Sequence, residues 1–437
     1  MPPIIQAAAP TPPRTVLVVG GNGFIAGFVI AALRAHGWRV LRGVRAQDRV
    51  PGEDERHCDL ATMLSPEAWR DALHGVDAVV NAAGILRETR SQRFATIHVA
   101  GPLALAKACV AAGIAPFVQI SALGLPEDGE FIASKHRFDA ALLAMPLRAV
   151  VLRPSLVYAI EGSYGGTSLL RALAGFPGAQ WLPGDGRWLV QPLVAADLGE
   201  LVARALEARP GLYEVAGPRV MALREYQHQW RDWLRIPGRR EVHVPEALVT
   251  WQVWLFERLG RGPVGETMWR MLRRGNIAAA DAPARMHDAF GFAPRALQDV
   301  LASRASQVQD RWQAQLYFLA PTLRLSLVVL WLLSAWAGVA TPAARIAQLA
   351  AGSWLAGIGP VMLARAGSLL DLALALWLAS GWKTRPALVT MAASVAVYTL
   401  AFGAALPATW FDPLGGLAKN LVVLPALAIA WVLAERR

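Results

Sequence analysis

Thr15–Arg45 reads TVLVVGGNGFIAGFVIAALRAHGWRVLRGVR, and its hydrophobic period changes twice. Val16–Val19 is a continuous apolar run, as in a strand buried on both faces. Gly20, Gly21 and Gly23 form a turn around Asn22. Phe24–Leu33 carries a helical period, Gly37 ends that helix, and a second strand follows to Arg45. Strand, glycine turn, helix, strand is the context in which a backbone can approach a pyrophosphate. The helix N-terminus supplies free N–H groups and a positive dipole end.

The spacing Gly20-x-x-Gly23-x-x-Ala26 differs from Gly-x-Gly-x-x-Gly and resembles that of the short-chain dehydrogenase/reductase family, in its extended or atypical branches. Further motifs follow in order: Cys58-Asp59-Leu60, Asn81-Ala82-Ala83-Gly84 after an apolar strand, FVQISALG with a strand ending at Ser121, Arg153-Pro154-Ser155, and Gly184, Gly186, Pro192 and Asp197 in GDGRWLVQPLVAADLGELV. The resemblance runs from about Thr15 to Arg304. It implies an α/β fold, a Rossmann-type doubly wound parallel sheet with a small α/β substrate region. It implies a dinucleotide on Gly20, Asn22, Gly23, Phe24 and Ile25. Asp59 and Leu60 would flank the adenine, Ala82, Ala83 and Gly84 would line the next strand end, and Pro154 would lie beside the nicotinamide.

The end of the second strand bears on the cofactor. NAD sites usually place a carboxylate there to bind the ribose diol. This strand ends in Arg45 and holds no acid, and a guanidinium suits a 2′-phosphate. NADP(H) is therefore expected, with NAD(H) as the alternative. Arg42, on the same strand, is the other candidate for that role.

In GEFIASK, Gly129–Lys135, the family's Tyr-x-x-x-Lys pair is expected, and the tyrosine is missing. The resemblance implies that Lys135 holds the nicotinamide ribose. Phe131 has the ring without the hydroxyl, and a phenyl group cannot act as a general acid. Ser121 ends the right strand for the catalytic serine. The family's serine usually lies a residue or two later, at Ala122 or Leu123 here. His98 falls where the family often has a structural asparagine. Tyr158 and Tyr164 are the substitute phenols. Tyr158 reads as core, and Tyr164, in Gly-Ser-Tyr-Gly-Gly, sits on a loop and is the better donor. The candidate catalytic set is Lys135, Ser121 and Tyr164. The alternative is chemistry that draws its proton from water.

Two cysteines, Cys58 and Cys109, fit no metal or disulfide spacing. The net charge of +11 comes with no basic run interleaved with aromatics that reads as an RNA or DNA motif, so nucleic acid is not expected as a partner. Residues 1–13 are Pro-rich and read as a disordered lead-in, and 14–230 as the nucleotide domain. Residues 231–310 begin a Trp- and Arg-rich region that suits either a substrate-domain core or a membrane interface. FGFAPRALQDVL, Phe290–Leu301, resembles the closing element of atypical members of the family. These include the accessory subunit of respiratory complex I with this fold, which binds NADPH tightly.

Residues 311–437 hold apolar segments at about Pro321–Ala340, Val361–Trp382, Ala387–Leu406 and Leu414–Ala434. Each approaches the length that crosses about 30 Å of hydrocarbon. A four-helix transmembrane bundle is expected. FDPLGGLAKNLVVLP resembles a stretch of the DoxX-like membrane family, a likeness covering about the last 115 residues. Lys383 and Arg385 in the second loop, with Arg436 and Arg437 at the tail, place those parts inside if all four segments cross. That gives a multi-pass protein of the inner (plasma) membrane with a cytoplasmic nucleotide domain. Asp371, within the second span, is either a functional carboxylate or one paired with Arg365 or Lys419. The sequence and the two resemblances together lead to an oxidoreductase with a non-standard proton donor. The expected partners are NADP(H), the bilayer, a lipophilic quinone-like or isoprenoid molecule and a membrane redox complex. The other reading is a non-catalytic NADP(H) sensor or assembly factor.

Overall fold

The computed structural model describes residues 13–45, 51–238, 240–258, 265–411 and 416–435. The lead-in up to residue 12, part of the FDPLGG motif, and the two terminal arginines lie outside the described residues. The chain divides into two compact units, Met1–Ala314 and Gln315–Arg437.

Among the described residues, thirteen strands belong to the first unit. They are β1 (Thr15–Val19), β2 (Arg39–Val44), β3 (Glu55–His57), β4 (Ala78–Asn81), β5 (Pro116–Ile120), β6 (Arg148–Pro154), β7 (Val157–Tyr158), β8 (Gln180–Pro183), β9 (Leu189–Val190), β10 (Leu193–Val194), β11 (Gly211–Val215), β12 (Met221–Ala222) and β13 (Glu241–Val244). Seven of them form one parallel sheet in the order β11-β6-β5-β4-β1-β2-β3. The apolar run of β1 is uninterrupted because both faces of the sheet are covered. Val16 and Val18 pack toward α1 (Phe24–Ala35), while Leu17 and Val19 pack with residues of α2 (Gly101–Ala111) and α3 (Glu130–Leu143). These are the two helical layers of a doubly wound fold.

The remaining helices of this unit are α4 (Gly166–Ala174), α5 (Ala195–Ala205), α6 (Leu223–Trp233), α7 (Glu246–Arg258), α8 (Glu266–Arg274), α9 (Ala282–Phe290) and α10 (Leu297–Ala302). The short strand pairs β7–β10, β9–β12 and β8–β13 join several of them in a smaller α/β region. Trp230, Trp233 and Trp269 are buried in its core with Tyr158 and Trp188. Trp230 stands edge-on to Tyr158 and to Trp233, with centroids 5.9 and 5.4 Å apart. Two arginines are buried there as well. Arg231 donates to the carbonyls of Ala174, Phe176, Pro237 and Gly238. Arg171 lies 4.3 Å over the Trp230 ring and donates to the Ala159 carbonyl. Much of the Trp/Arg pattern is thus core, while Trp251 and Trp254 on α7 are exposed.

The closing element is tied down by Asp197, at the start of α5. Its carboxylate accepts the Arg295 backbone N–H at 2.7 Å and two guanidinium N–H groups at 3.0 and 2.6 Å. The FGFAPR motif is therefore fixed to the nucleotide domain by one buried carboxylate.

The border between units falls inside α11 (Val308–Ala340), followed by α12 (Ala343–Ala350), α13 (Pro360–Ser380), α14 (Thr384–Ala405) and α15 (Asn420–Leu433). Residues of α11, α13, α14 and α15 share one apolar core. Among the described residues three helices, α11, α13 and α14, are long and apolar enough to cross a membrane. In the fourth expected segment the described helix is shorter. A turn at Leu417–Lys419 precedes an α15 of 14 residues that contains Pro425. At 1.5 Å per residue that helix is about 21 Å long, short of the hydrocarbon thickness. Asp371 accepts a hydrogen bond from Ser334 at 2.6 Å, whereas Arg365 donates to the carbonyls of Gly338, Val339 and Thr341. The Lys-Asn motif has a structural use, since Asn420 donates to Thr399 on α14 at 2.8 Å.

Candidate functional site

The glycine turn joins the ends of β1, β2 and β4. Gly20 has φ +79°, and a Cβ there would lie 2.8 Å from the Ala83 Cα. A Cβ on Gly21 would meet the Arg42 Cβ at 2.9 Å. Gly21 N–H donates to the Gly43 carbonyl at 2.9 Å and Gly23 N–H to Gly20 at 2.8 Å, which closes the turn. Gly23 is the N-cap of α1 in extended conformation. Among the described residues no side chain caps the helix, and no acidic residue occupies its first turn. The N-terminal N–H groups of α1 are thus left for an anion, and the positive helix end faces it.

The adjoining residues sit as follows. Asn22 and Gly23 are exposed, and Phe24 and Ile25 are half-buried. Arg45 is exposed just past β2. Arg42 packs beside Gly21 and pairs with the buried Glu55 at 2.5 Å. Asp59 is half-buried, and its carboxylate accepts the Ala61 N–H at 2.9 Å, while Leu60 is in the core. Ala82 and Ala83 are half-buried at the end of β4, and Gly84 is exposed. Pro154 ends β6, and its carbonyl accepts the Leu123 N–H at 3.0 Å.

Lys135 is buried on α3. Its Nζ donates to the Ile120 carbonyl at 3.2 Å and lies 5.9 Å from the centre of the Phe131 ring. A Cβ on Gly84 would come within 3.3 Å of that Nζ, so the glycine keeps the approach to Lys135 clear. Burial pushes the ammonium down to about 8, with Asp139 pulling the other way. The Ile120 carbonyl also accepts from Gln119, whose Oε1 receives a bond from Asn81 at 2.8 Å. Asn81 and Gln119 were not among the expected site residues. Their signal was a polar residue at or near the end of each of two apolar strands.

His98 lies within a π-helical turn, Ala95–Ala100, that runs into α2. Its Nε2 accepts the Ile85 N–H at 3.1 Å, so Nδ1 carries the proton and donates to Ser134 at 2.9 Å. Ser134 in turn donates to the Phe131 carbonyl at 3.2 Å. The His98 ring stacks on Phe94 and stands edge-on to Phe131. Burial, and then the Lys135 charge, push its pKa down to about 3. Both ring nitrogens are engaged and the ring is neutral, so His98 is a positioning residue for the Phe131–Lys135 turn.

Ser121 is buried and donates to Asp139 at 2.8 Å, and the same carboxylate oxygen accepts Arg153 Nε at 2.9 Å. Tyr164 is 59% exposed and stacks on Phe24, with centroids 6.0 Å apart and 17° between planes. That places it against the glycine turn. Among the described residues no hydrogen bond joins Lys135 to Ser121 or to Tyr164. Tyr158 is buried beside Trp230, and burial raises its pKa.

Residues 16–208 match the NAD dependent epimerase/dehydratase family, and residues 326–431 match the DoxX-like family. The chain thus joins an NAD(P)-binding Rossmann domain, similar to short-chain dehydrogenases, to a DoxX-like domain in one polypeptide. Among solved structures, the human epimerase family protein SDR39U1 with NADPH is 22% identical, with a TM-score of 0.50 over 67% of this chain and 99% of that one. The protein gox2253 is 21% identical, with a TM-score of 0.50 over 66% and 96%. These likenesses show the fold. No curated protein matches the chain.

The residues present fit a nicotinamide dinucleotide. The uncapped α1 terminus and the side-chain-free turn at Gly20–Gly23 suit its pyrophosphate, and Lys135 beside Gly84 suits a ribose. When bound, the dinucleotide supplies hydride chemistry.

Proposed function

We propose that this chain is a membrane-anchored NADP(H)-dependent oxidoreductase that serves a lipophilic acceptor without a phenolic proton donor. The observation that carries this reading is Lys135, buried beside Gly84 with Phe131 in place of the tyrosine. The lysine keeps the ribose-binding role, and the phenyl ring removes the usual acid. An acceptor of quinone or isoprenoid type, protonated from water, is compatible with that arrangement. NADP(H) is favoured because Arg45 is exposed just past β2, and β2 itself, Arg39–Val44, holds no carboxylate for a ribose diol. The nucleotide domain is assigned to the cytoplasmic side of the inner membrane, where NADP(H) is available.

A second reading, a non-catalytic NADP(H) sensor or assembly factor of a membrane complex, is favoured by Ser121. Its hydroxyl is committed to Asp139, so the standard carbonyl-polarising group is also missing. Full-length protein in nanodiscs, given NADPH with a panel of quinones and prenyl aldehydes, separates the two. NADPH oxidation supports the oxidoreductase. Tight binding without turnover supports the sensor. Absence of binding contradicts both.

A further inference from the structure

Helix α7, Glu246–Arg258, is built unlike its neighbours. Of its 13 residues only Val253 is buried, although the sequence EALVTWQVWLFER is largely apolar. Leu248, Trp251 and Trp254 are 44, 54 and 41% exposed. The exposed Leu248 and Trp251 and the half-buried Leu255 recur at i, i+3 and i+7, so they line one stripe on the side opposite Val253 and Val249. The other tryptophans of the region do not share this exposure, since Trp230, Trp233 and Trp269 are core residues. An open groove of about 580 Å³ runs along the flank of α7 beside Trp251, Trp254 and Arg273.

We propose that α7 lies in the interface of a lipid bilayer, with Leu248, Trp251 and Leu255 toward the acyl chains. The inference rests on the membrane-anchored reading above. Two further observations select the bilayer as the occupant. Among the described residues the same polypeptide carries three helices long and apolar enough to cross a membrane, so on that reading a bilayer is tethered to this unit by its own chain. The Arg258 guanidinium lies 4.3 Å over the Trp254 ring, an indole–cation pair suited to the headgroup level, where tryptophan concentrates and arginine meets phosphate. Glu246, which lines that groove with Trp251 and Trp254, pairs with Arg273, and Glu257 pairs with Arg87, so each carboxylate of the helix has a cationic partner. An interfacial helix of this kind would hold the nucleotide domain at the surface from which a lipophilic substrate leaves the bilayer.

The test uses full-length protein in nanodiscs containing anionic lipid, with nitroxide labels on Leu248→Cys, Leu255→Cys, Glu67→Cys and Leu333→Cys. Cys58 and Cys109 are buried, so the labels report the introduced thiols. Glu67 is an exposed site of the nucleotide domain and Leu333 an exposed site of α11. At positions 248 and 255, relaxation by oxygen is expected to exceed relaxation by a water-soluble nickel chelate, as at 333, with the reverse at 67. Nickel-dominated relaxation at 248 and 255, with oxygen still dominant at 333, would overturn the inference and leave the anchored reading intact. Labels at 248 and 255 shielded from both reagents would mean a protein cover, the spanning helices or a second copy, and would overturn it too. Nickel dominance at 333 as well would defeat the membrane reading itself.

Discussion

The Lys135 ammonium lies 5.9 Å from the centre of the Phe131 ring, one helical turn away on α3. In the family that the sequence resembles, that turn carries the phenol. Here the ring is kept, packed against His98 and Phe94, and only the hydroxyl is absent. Phe131→Tyr is therefore expected to fold and to leave NADPH affinity within a few-fold, because the ring's packing is unchanged. It is not expected to create a carbonyl reductase, since Ser121 remains bonded to Asp139. Binding titrations and NADPH oxidation with simple aldehydes check both statements.

Gly20 and Gly27 should respond in opposite directions. Gly20→Ala forces a side chain onto φ +79° and against Ala83, a strain of roughly 1–3 kcal/mol. NADPH binding should be lost with it. Gly27 lies within α1 with nothing within 4 Å of a Cβ. Gly27→Ala should therefore stabilise by roughly 0.5–1 kcal/mol. Thermal unfolding of the two variants measures the contrast.

His98 predicts acid sensitivity. Burial, then the Lys135 charge, depress its folded pKa to about 3, below the ordinary imidazole value of about 6.5, so the unfolded chain binds the extra proton first. Stability from this group is intact above about pH 6.5 and falls as pH drops toward 3, by about 1.4 kcal/mol per unit. His98→Asn should flatten that slope while lowering stability at neutral pH. Unfolding midpoints of the two proteins at pH 7.5 and pH 5 provide the comparison.

Asp139 should matter far more than Ser121. Asp139→Ala leaves the partly buried Arg153 without its carboxylate, and breaking a buried pair costs about 3–5 kcal/mol. Ser121→Ala removes one hydrogen bond, worth about 1 kcal/mol. Its hydroxyl faces Asp139, so NADPH affinity should hold within a few-fold. A large loss of affinity in Ser121→Ala with normal stability would return that serine to the site.

Local features were legible where chemistry and spacing act within one segment. The β1 run, the Gly20–Gly23 turn and the first three apolar helices of the membrane part announce themselves by period and composition. Features that depend on distant partners were not legible. Nothing near Ser121 indicates that Asp139, on α3, takes its hydroxyl. The Trp and Arg residues of 230–274 look alike in sequence, yet Arg231 is buried on four carbonyls while Arg258 lies over an exposed indole. Apolarity alone marked the last segment as a span. The turn at Leu417–Lys419, from which Asn420 reaches Thr399, shortens it.

The most direct test of NADP(H) binding through the glycine turn and Lys135 is a titration of full-length protein in nanodiscs with NADPH and NADH, beside Lys135→Ala. Saturable binding is expected, tighter for NADPH than for NADH. Lys135→Ala should weaken it by about 1.5–3 kcal/mol, roughly 10- to 150-fold, the worth of a lost charge-assisted hydrogen bond. Binding of neither nucleotide, or an unchanged dissociation constant in a folded Lys135→Ala protein, would contradict the account.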